Sequence, residues 1–285
     1  MDEIFARDTD IENISAIWRM AFSDSDEYIN LFLTNLYSPE NTIVSRECGV
    51  VVSMAFLIPA QLVVGGRPYS AYYFYAAATH PKYRRRGHME KVINSAKAVA
   101  KERGIDFIVL VPAEEYLFDY YSKFGFETKF NKKVVHYTRS ELNALATEPD
   151  LSEAFKLNVF ETRQTSFGFK DFFNWGEAAL KYAMMEHTYC SGSIAFTSDG
   201  YAMYNMGKDT VYVKEMCTLS DPSELFKMLL LEDGAEKFTF NLPSFSSICK
   251  EDETVENVGM SVPTSEEGKK AQEVLNNAWI GLTLG

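Results

Sequence analysis

The chain has 285 residues, 46% of them hydrophobic and 24% charged, with a formal net charge of -12 at pH 7. That length and apolar content suffice for two ordinary domains, each with its own core, and the acidity argues against a general nucleic-acid binder. No apolar run approaches the roughly 20 residues that cross a bilayer, and the opening MDEIFARDTD is acidic where a secretory leader is basic and then apolar, so the expectation is a cytoplasmic protein with no membrane association.

Ile11, Ile14, Trp18, Phe22 and then Ile29, Phe32, Leu33, Leu36 recur at helical spacing before Pro39, and predict two helices or one broken near Ser23 to Asp26. Short apolar stretches at 42–45, 50–58 and 61–64 predict strands, with Gly65-Gly66 as a turn. Residues 69–79, dense in aromatic and small side chains, read as a central strand. Residues 89–100 follow as a helix with Met89, Val92, Ile93, Ala96 and Val99 inward, ended by Gly104, and 106–111 return as a strand. A short helix over 114–123 and a strand over 132–137 complete the first half. Residues 139–160 read as polar and helical material around Pro149.

In the second half the pattern predicts a helix over 170–185, strands at 193–197, 201–206 and 210–217, a helix over 222–231, and strands at 238–242, 255–261 and 278–284. This order repeats that of the first half in weakened form. Nearly all the excess negative charge lies in this half, which suits a cationic partner; ordinary solubility explains the same imbalance. The four cysteines are too widely spaced for a zinc ribbon, and the four histidines show no paired spacing, so the expectation is reduced thiols and a mechanism without metal.

Thr79 to Met89 reads THPKYRRRGHM and joins a strand end to a helix start. A helix N-terminus leaves backbone amides without partners, and Gly87 lets phosphate oxygens approach them, while Arg84, Arg85 and Arg86 supply charge. The turn therefore reads as a socket for the phosphates of a large carrier. Guanidinium groups also bind nucleic-acid backbone, but this is a single short cluster in an acidic chain.

Arg84-Arg85-Arg86-Gly87-His88-Met89 resembles the phosphate motif of the GNAT superfamily of acyl-coenzyme A-dependent N-acyltransferases, departing from it at Met89, which is bulkier than the usual Gly or Ala. Tyr121-Ser122-Lys123-Phe124-Gly125-Phe126 resembles the tyrosine-to-glycine-phenylalanine segment that lies near the acyl thioester in that superfamily. The whole chain is similar to two-domain members whose C-terminal domain keeps a related topology but lacks the coenzyme motif. The resemblance implies an α/β fold with mixed sheets: a GNAT domain over 1–138, a helical bridge over 139–165 and a degenerate GNAT-like domain over 166–285.

By the same resemblance, acetyl-coenzyme A is the donor and an amine-bearing small molecule, peptide or protein the acceptor. Ala77, Ala78 and Thr79 line the pantetheine arm, residues 84–89 hold the diphosphate, and Tyr121 protonates the departing thiolate. Packing is the competing role for Tyr121, and Tyr120 the alternative donor. No base is located: Glu114 and Glu115 read equally as surface charge, His80 as a turn residue, and the carboxylate of Gly285 is a further candidate. The aromatics Tyr69, Tyr72, Tyr73, Phe74 and Tyr75 read as acceptor lining or as core. A non-catalytic acyl-coenzyme A-binding regulatory or assembly protein is the alternative function.

Overall fold

The computed structural model describes residues 3–250 and 253–284. In chain order the elements are α1 (Ile11–Phe22), α2 (Asp26–Asn35), β1 (Thr42–Glu47), β2 (Val50–Val64), β3 (Arg67–Thr79), α3 (His88–Glu102), β4 (Phe107–Leu110), α4 (Tyr116–Ser122), β5 (Glu127–Thr138) and α5 (Arg139–Leu145). Then follow α6 (Val159–Phe167), β6 (Phe172–Trp175), α7 (Glu177–Tyr189), β7 (Ser193–Phe196), β8 (Gly200–Met206), β9 (Thr210–Thr218), α8 (Ser223–Leu229), β10 (Lys237–Leu242), β11 (Thr254–Pro263) and α9 (Glu266–Val274). Two compact units divide the chain. The first takes residues up to Leu62, Pro68–Thr128 and Gly259–Val274; the second takes Val63–Arg67, Lys129–Val258 and the residues from Leu275 onward.

In the first unit the helical break falls where Ser23 turns left-handed at φ 62, and Ser25 then caps α2 by accepting a hydrogen bond from the Tyr28 amide at 3.2 Å. Trp18, at the centre of α1, packs on Phe32, Tyr28, Phe56 and Tyr75, so the two helices are fixed to the sheet by aromatic contact. Arg46 grips both carboxylate oxygens of Asp10, at 2.8 and 2.6 Å, which ties the start of α1 to β1 and holds the Asp10 carboxyl below its usual range.

The strand order is β1-β2-β3-β4-β11, with β1 antiparallel to β2, β3 parallel to β4 and Met260–Pro263 of β11 antiparallel to β4. The parallel pair requires a crossover, and α3 supplies it, burying Val92, Ile93, Ala96, Val99 and Ala100 against the sheet. Each of the larger of these contributes about 1.5–3 kcal/mol of burial. The stretches 50–58 and 61–64 are one 15-residue strand, because Pro59, which has no N–H to offer a ladder, is exposed and does not end it.

The second unit orders its strands β5-β10-β9-β8-β7. Here β7 and β8 are antiparallel, β8 and β9 antiparallel, and β9 and β10 parallel across α8, while β10 meets β5 antiparallel. The connectivity β7-β8-β9-α8-β10 thus repeats β1-β2-β3-α3-β4. The turn differs: Thr218 to Pro222 carries neither arginine nor glycine, and Asp199 accepts from the Thr218 and Ser220 hydroxyls while Asp221 caps the Ser223 amide at 2.9 Å.

Two expectations are corrected and one helix is added. The predicted helix over 170–185 is a strand and a helix: Phe172, Phe173, Asn174 and Trp175 are all buried, as suits a strand covered on both faces, and the helix starts only after Gly176. Residues 278–284 form isolated bridges at Ala278 and Trp279 rather than a strand, since their backbone is engaged by side chains. Helix α9, EEGKKAQEV, was not expected: it buries only Gly268, Ala271 and Gln272, and it lies so near the Asp106 carbonyl that a Cβ on Gly268 would stand 2.4 Å from that oxygen.

At the centre of the second unit lies a fully buried ion pair. Arg163 Nε donates to Glu215 Oε1 at 3.1 Å, and its remaining nitrogens donate to the carbonyls of Phe173 (2.7 Å) and Ile280 (3.1 Å). Glu215 also accepts from the Tyr201 hydroxyl at 2.7 Å and the Leu282 amide at 3.1 Å. Both charges are thereby satisfied, and the segment 280–282 is fastened in place. Removing one partner leaves the other buried and unpaired, so Arg163→Met is expected to cost about 3–5 kcal/mol in chemical denaturation. The double variant Arg163→Met/Glu215→Gln should recover part of that loss, because Gln carries no charge, its one carbonyl oxygen still accepts from the Leu282 amide, and its NH2 can donate to the Tyr201 hydroxyl oxygen.

Candidate active site

The end of β3 departs from regular strand geometry at Ala76, whose φ of 47 lies in the left-handed region that costs a non-glycine residue about 1 kcal/mol or more. Beyond it Ala77 is half-buried and Ala78 buried, and Ser53 on β2 anchors the segment. The Ser53 hydroxyl donates to Ala78 O at 3.0 Å and meets the Thr79 hydroxyl at 2.8 Å. His80 accepts from the Lys82 amide at 3.2 Å, so its ring serves a short turn at Pro81–Tyr83.

The three arginines divide their work. Arg84 Nε donates back to Thr79 O at 3.3 Å. Arg86 Nη1 reaches Glu47 Oε1 at 3.3 Å, with its guanidinium 5.2 Å from the centre of the Tyr83 ring. Arg85, exposed and left-handed at φ 62, makes no hydrogen bond or ion pair among the described residues. Its guanidinium is available to an incoming anion.

Gly87 caps α3 at φ 79, ψ 6, and no heavy atom lies within 4 Å of where a Cβ would stand. No side chain caps the helix, and the first closing bond runs from the Lys91 amide to Gly87 O at 3.1 Å. The amides of His88, Met89 and Glu90 precede it and face out from the helix end, where the helix dipole favours negative charge. The His88 side chain does not share this space. It is buried, with Nε2 3.0 Å from Glu47 Oε2 and Nδ1 3.0 Å from the Ser45 hydroxyl, so only its amide faces the turn. The half-buried Met89 packs into the core, which explains how its bulk is accommodated.

Tyr121 belongs to that same core cluster as Ala77 and Met89. Its ring meets Phe74, Phe126 and Tyr120 edge-on, at 6.5, 5.7 and 5.4 Å. Burial pushes its phenol well above the ordinary value, with Tyr120 and Tyr116 adding to the shift. Tyr120 is half-buried and raised by burial and then by the Glu90 carboxylate. The turn after Tyr121 is held by Gly125 at φ 85 and by Lys97, which donates to Phe124 O at 2.7 Å.

Of the other candidates, Glu114 and Glu115 are exposed, and the carboxylate of Gly285 lies outside the described residues. Tyr72, Tyr73, Phe74 and Tyr75 are buried as core. All four cysteines are free, and burial pushes the Cys217 thiol far up, which keeps it protonated. Among the described residues no group of three or more His, Cys, Asp or Glu could hold a metal ion, and no helix is long and apolar enough to cross a membrane. Glu47, Ser45, Ser53 and Tyr83 were not expected at the site; the only signal for the first two is their alternation on one face of a strand.

Residues 4–129 match the family model described as Acetyltransferase (GNAT) domain. The matched stretch takes in somewhat less than half of the chain. Similar solved structures extend over nearly the whole chain. A conserved protein of unknown function from Enterococcus faecalis V583, a probable N-acyltransferase, aligns with a TM-score of 0.75 at 14% identity, covering 93% of this chain and 72% of that one. A GCN5-related N-acetyltransferase from Anabaena variabilis ATCC 29413 gives 0.73 at 17% identity, covering 91% and 72%. Eis1 from Mycobacterium abscessus gives 0.69 at 13%, covering 91% and 73%. At these identities the likeness is one of fold. No curated protein matches the chain.

Within the matched segment, Gly87 is required by conformation rather than by space. Gly87→Ala introduces no clash, and the left-handed backbone alone should lower stability by about 1 kcal/mol in thermal unfolding. A much larger loss would show that the turn cannot tolerate a side chain for some other reason.

Proposed function

We propose that the protein is an N-acetyltransferase that moves the acetyl group of acetyl-coenzyme A to a primary amine within a ternary complex. The observation that carries this reading is the turn between β3 and α3, where outward-facing amides, a left-handed glycine and the unengaged Arg85 guanidinium converge inside the segment that matches the GNAT family model. Such a turn suits a diphosphate, which needs directed N–H donors and positive charge together. The corresponding turn of the second unit carries Asp221 and is bonded by Asp199 from the β7–β8 turn, and these carboxylates would repel one, which supports a single donor site per chain.

In the reaction the free amine attacks the thioester carbonyl carbon, the C–N bond forms, the C–S bond breaks, and the departing sulfur takes a proton. Tyr121 is the proposed source. Its raised pKa keeps the phenol protonated, and the same apolar surroundings that weaken it as an acid make the thiolate a stronger base, so transfer accompanies sulfur departure. The acceptor nitrogen gives up two protons on its way from ammonium to amide: one leaves to solvent before attack, and the second leaves once the C–N bond has formed and returns through solvent to Tyr121, so one proton is released per turnover. The acidity of the chain favours a cationic acceptor by long-range attraction.

Release of free coenzyme A in the presence of an amine panel tests the assignment; donor binding without turnover on any amine would instead assign a non-catalytic acyl-coenzyme A-binding role. Tyr121→Phe should lower kcat by about 10²-fold or more while donor affinity changes little. Equal turnover would remove Tyr121 from the chemistry. Since burial holds the phenol above its ordinary value, its ionisation should produce no alkaline fall in kcat up to about pH 10. Of the three arginines, Arg85→Ala should weaken donor binding by about tenfold with no change in melting temperature, because its guanidinium supports nothing else in the fold.

A further inference from the structure

We infer that Glu47, on β1, is a positioning residue for the donor-binding turn, acting through His88 and Arg86; this rests on the proposed function of that turn. Its carboxylate engages the residues on both sides of Gly87: Oε1 meets Arg86 Nη1 at 3.3 Å and Oε2 meets His88 Nε2 at 3.0 Å. Gly87, at φ 79, is the most permissive link in the turn, so its neighbours must be held if the amides beyond it are to keep one direction. One side chain holds both.

The protonation pattern follows from donor and acceptor roles. An ionised carboxylate only accepts, so His88 Nε2 carries the proton shared with Glu47, and the Ser45 hydroxyl lies 3.0 Å from Nδ1 on the other side of the ring. The imidazole is buried and bonded at both nitrogens, whereas Arg86 is more than half exposed and contributes less. Ser45 and Glu47 alternate along β1, so the same strand face supplies both contacts to the helix start.

Charge makes the inference decidable. A carboxylate beside a phosphate site repels the ligand, so Glu47 acting only as a local charge would make Glu47→Ala bind the donor more tightly. Acting as a positioning group, its loss should instead raise the KM for acetyl-coenzyme A about tenfold while kcat stays within about twofold. Glu47→Gln, which still accepts from His88, should restore most of the affinity. His88→Ala should reproduce the Glu47→Ala effect, and the double variant should be no worse than either single one. Amide hydrogen exchange over residues 86–90 of the unliganded protein gives a second readout and should accelerate in Glu47→Ala while remaining near the unsubstituted rate in Glu47→Gln. An unchanged or lowered KM in Glu47→Ala, or unchanged exchange, would overturn the inference. If the unsubstituted protein never saturates with acetyl-coenzyme A, the proposed function falls, and the exchange rates alone decide whether Glu47 orders the turn.

Discussion

The passage from β3 to α3 must satisfy two opposed demands. It leaves backbone amides bare at the head of α3, yet it must hold its left-handed residues, and both bare amides and left-handed residues are unfavourable unless the surroundings support them. The protein answers with contacts directed away from the bare side. Ser53 fixes Ala78 and Thr79, Thr79 O receives Arg84, Tyr83 lies under Arg86, and the His88 ring is inserted between Ser45 and Glu47. Most of the polar side chains in the motif therefore build the turn, and the groups left for an anion are the amides at the head of α3 and the guanidinium of Arg85. Tyr121 and Met89 join the same apolar cluster, which connects the head of α3 to α4 through packed side chains.

Much of the first unit was legible because its signals are local. The helical spacing of Ile14, Trp18 and Phe32, the strand of small and aromatic residues before Thr79, and the run RRRGHM each declare an element from a few neighbouring residues. What was not legible depends on residues distant in sequence. His88 looks from the motif like a ligand-facing residue, and only its encounter with β1 shows where the ring goes. Glu47 had no local signature at all. Helix α9 lacks an apolar stripe because a glycine close to the Asp106 carbonyl, together with Ala271 and Gln272, makes up its buried face. The segment after Leu275 reads as a strand by composition, but buried Arg163 and Glu215 take the hydrogen bonds a ladder would use.

The two units display how little of a fold is tied to its chemistry. Both run antiparallel strands into a parallel pair joined across one helix, and both bury apolar residues of that helix against the sheet. They diverge at a turn of a few residues. In one, glycine and arginine leave amides uncovered; in the other, Asp199 and Asp221 satisfy the local hydroxyls and amide internally. The second turn engages nearby carboxylates, whereas the first leaves the amides at the head of α3 without a side-chain cap and the Arg85 guanidinium unengaged.

The antiparallel partner of β4 comes from Met260–Pro263, and α9 follows it into the first unit. During ribosomal synthesis, then, the nascent chain presents Phe107–Leu110, four buried apolar residues in succession, with one edge unpaired until residues 260–263 have emerged. The first unit is closed by a strand that follows β5 to β10 in the chain.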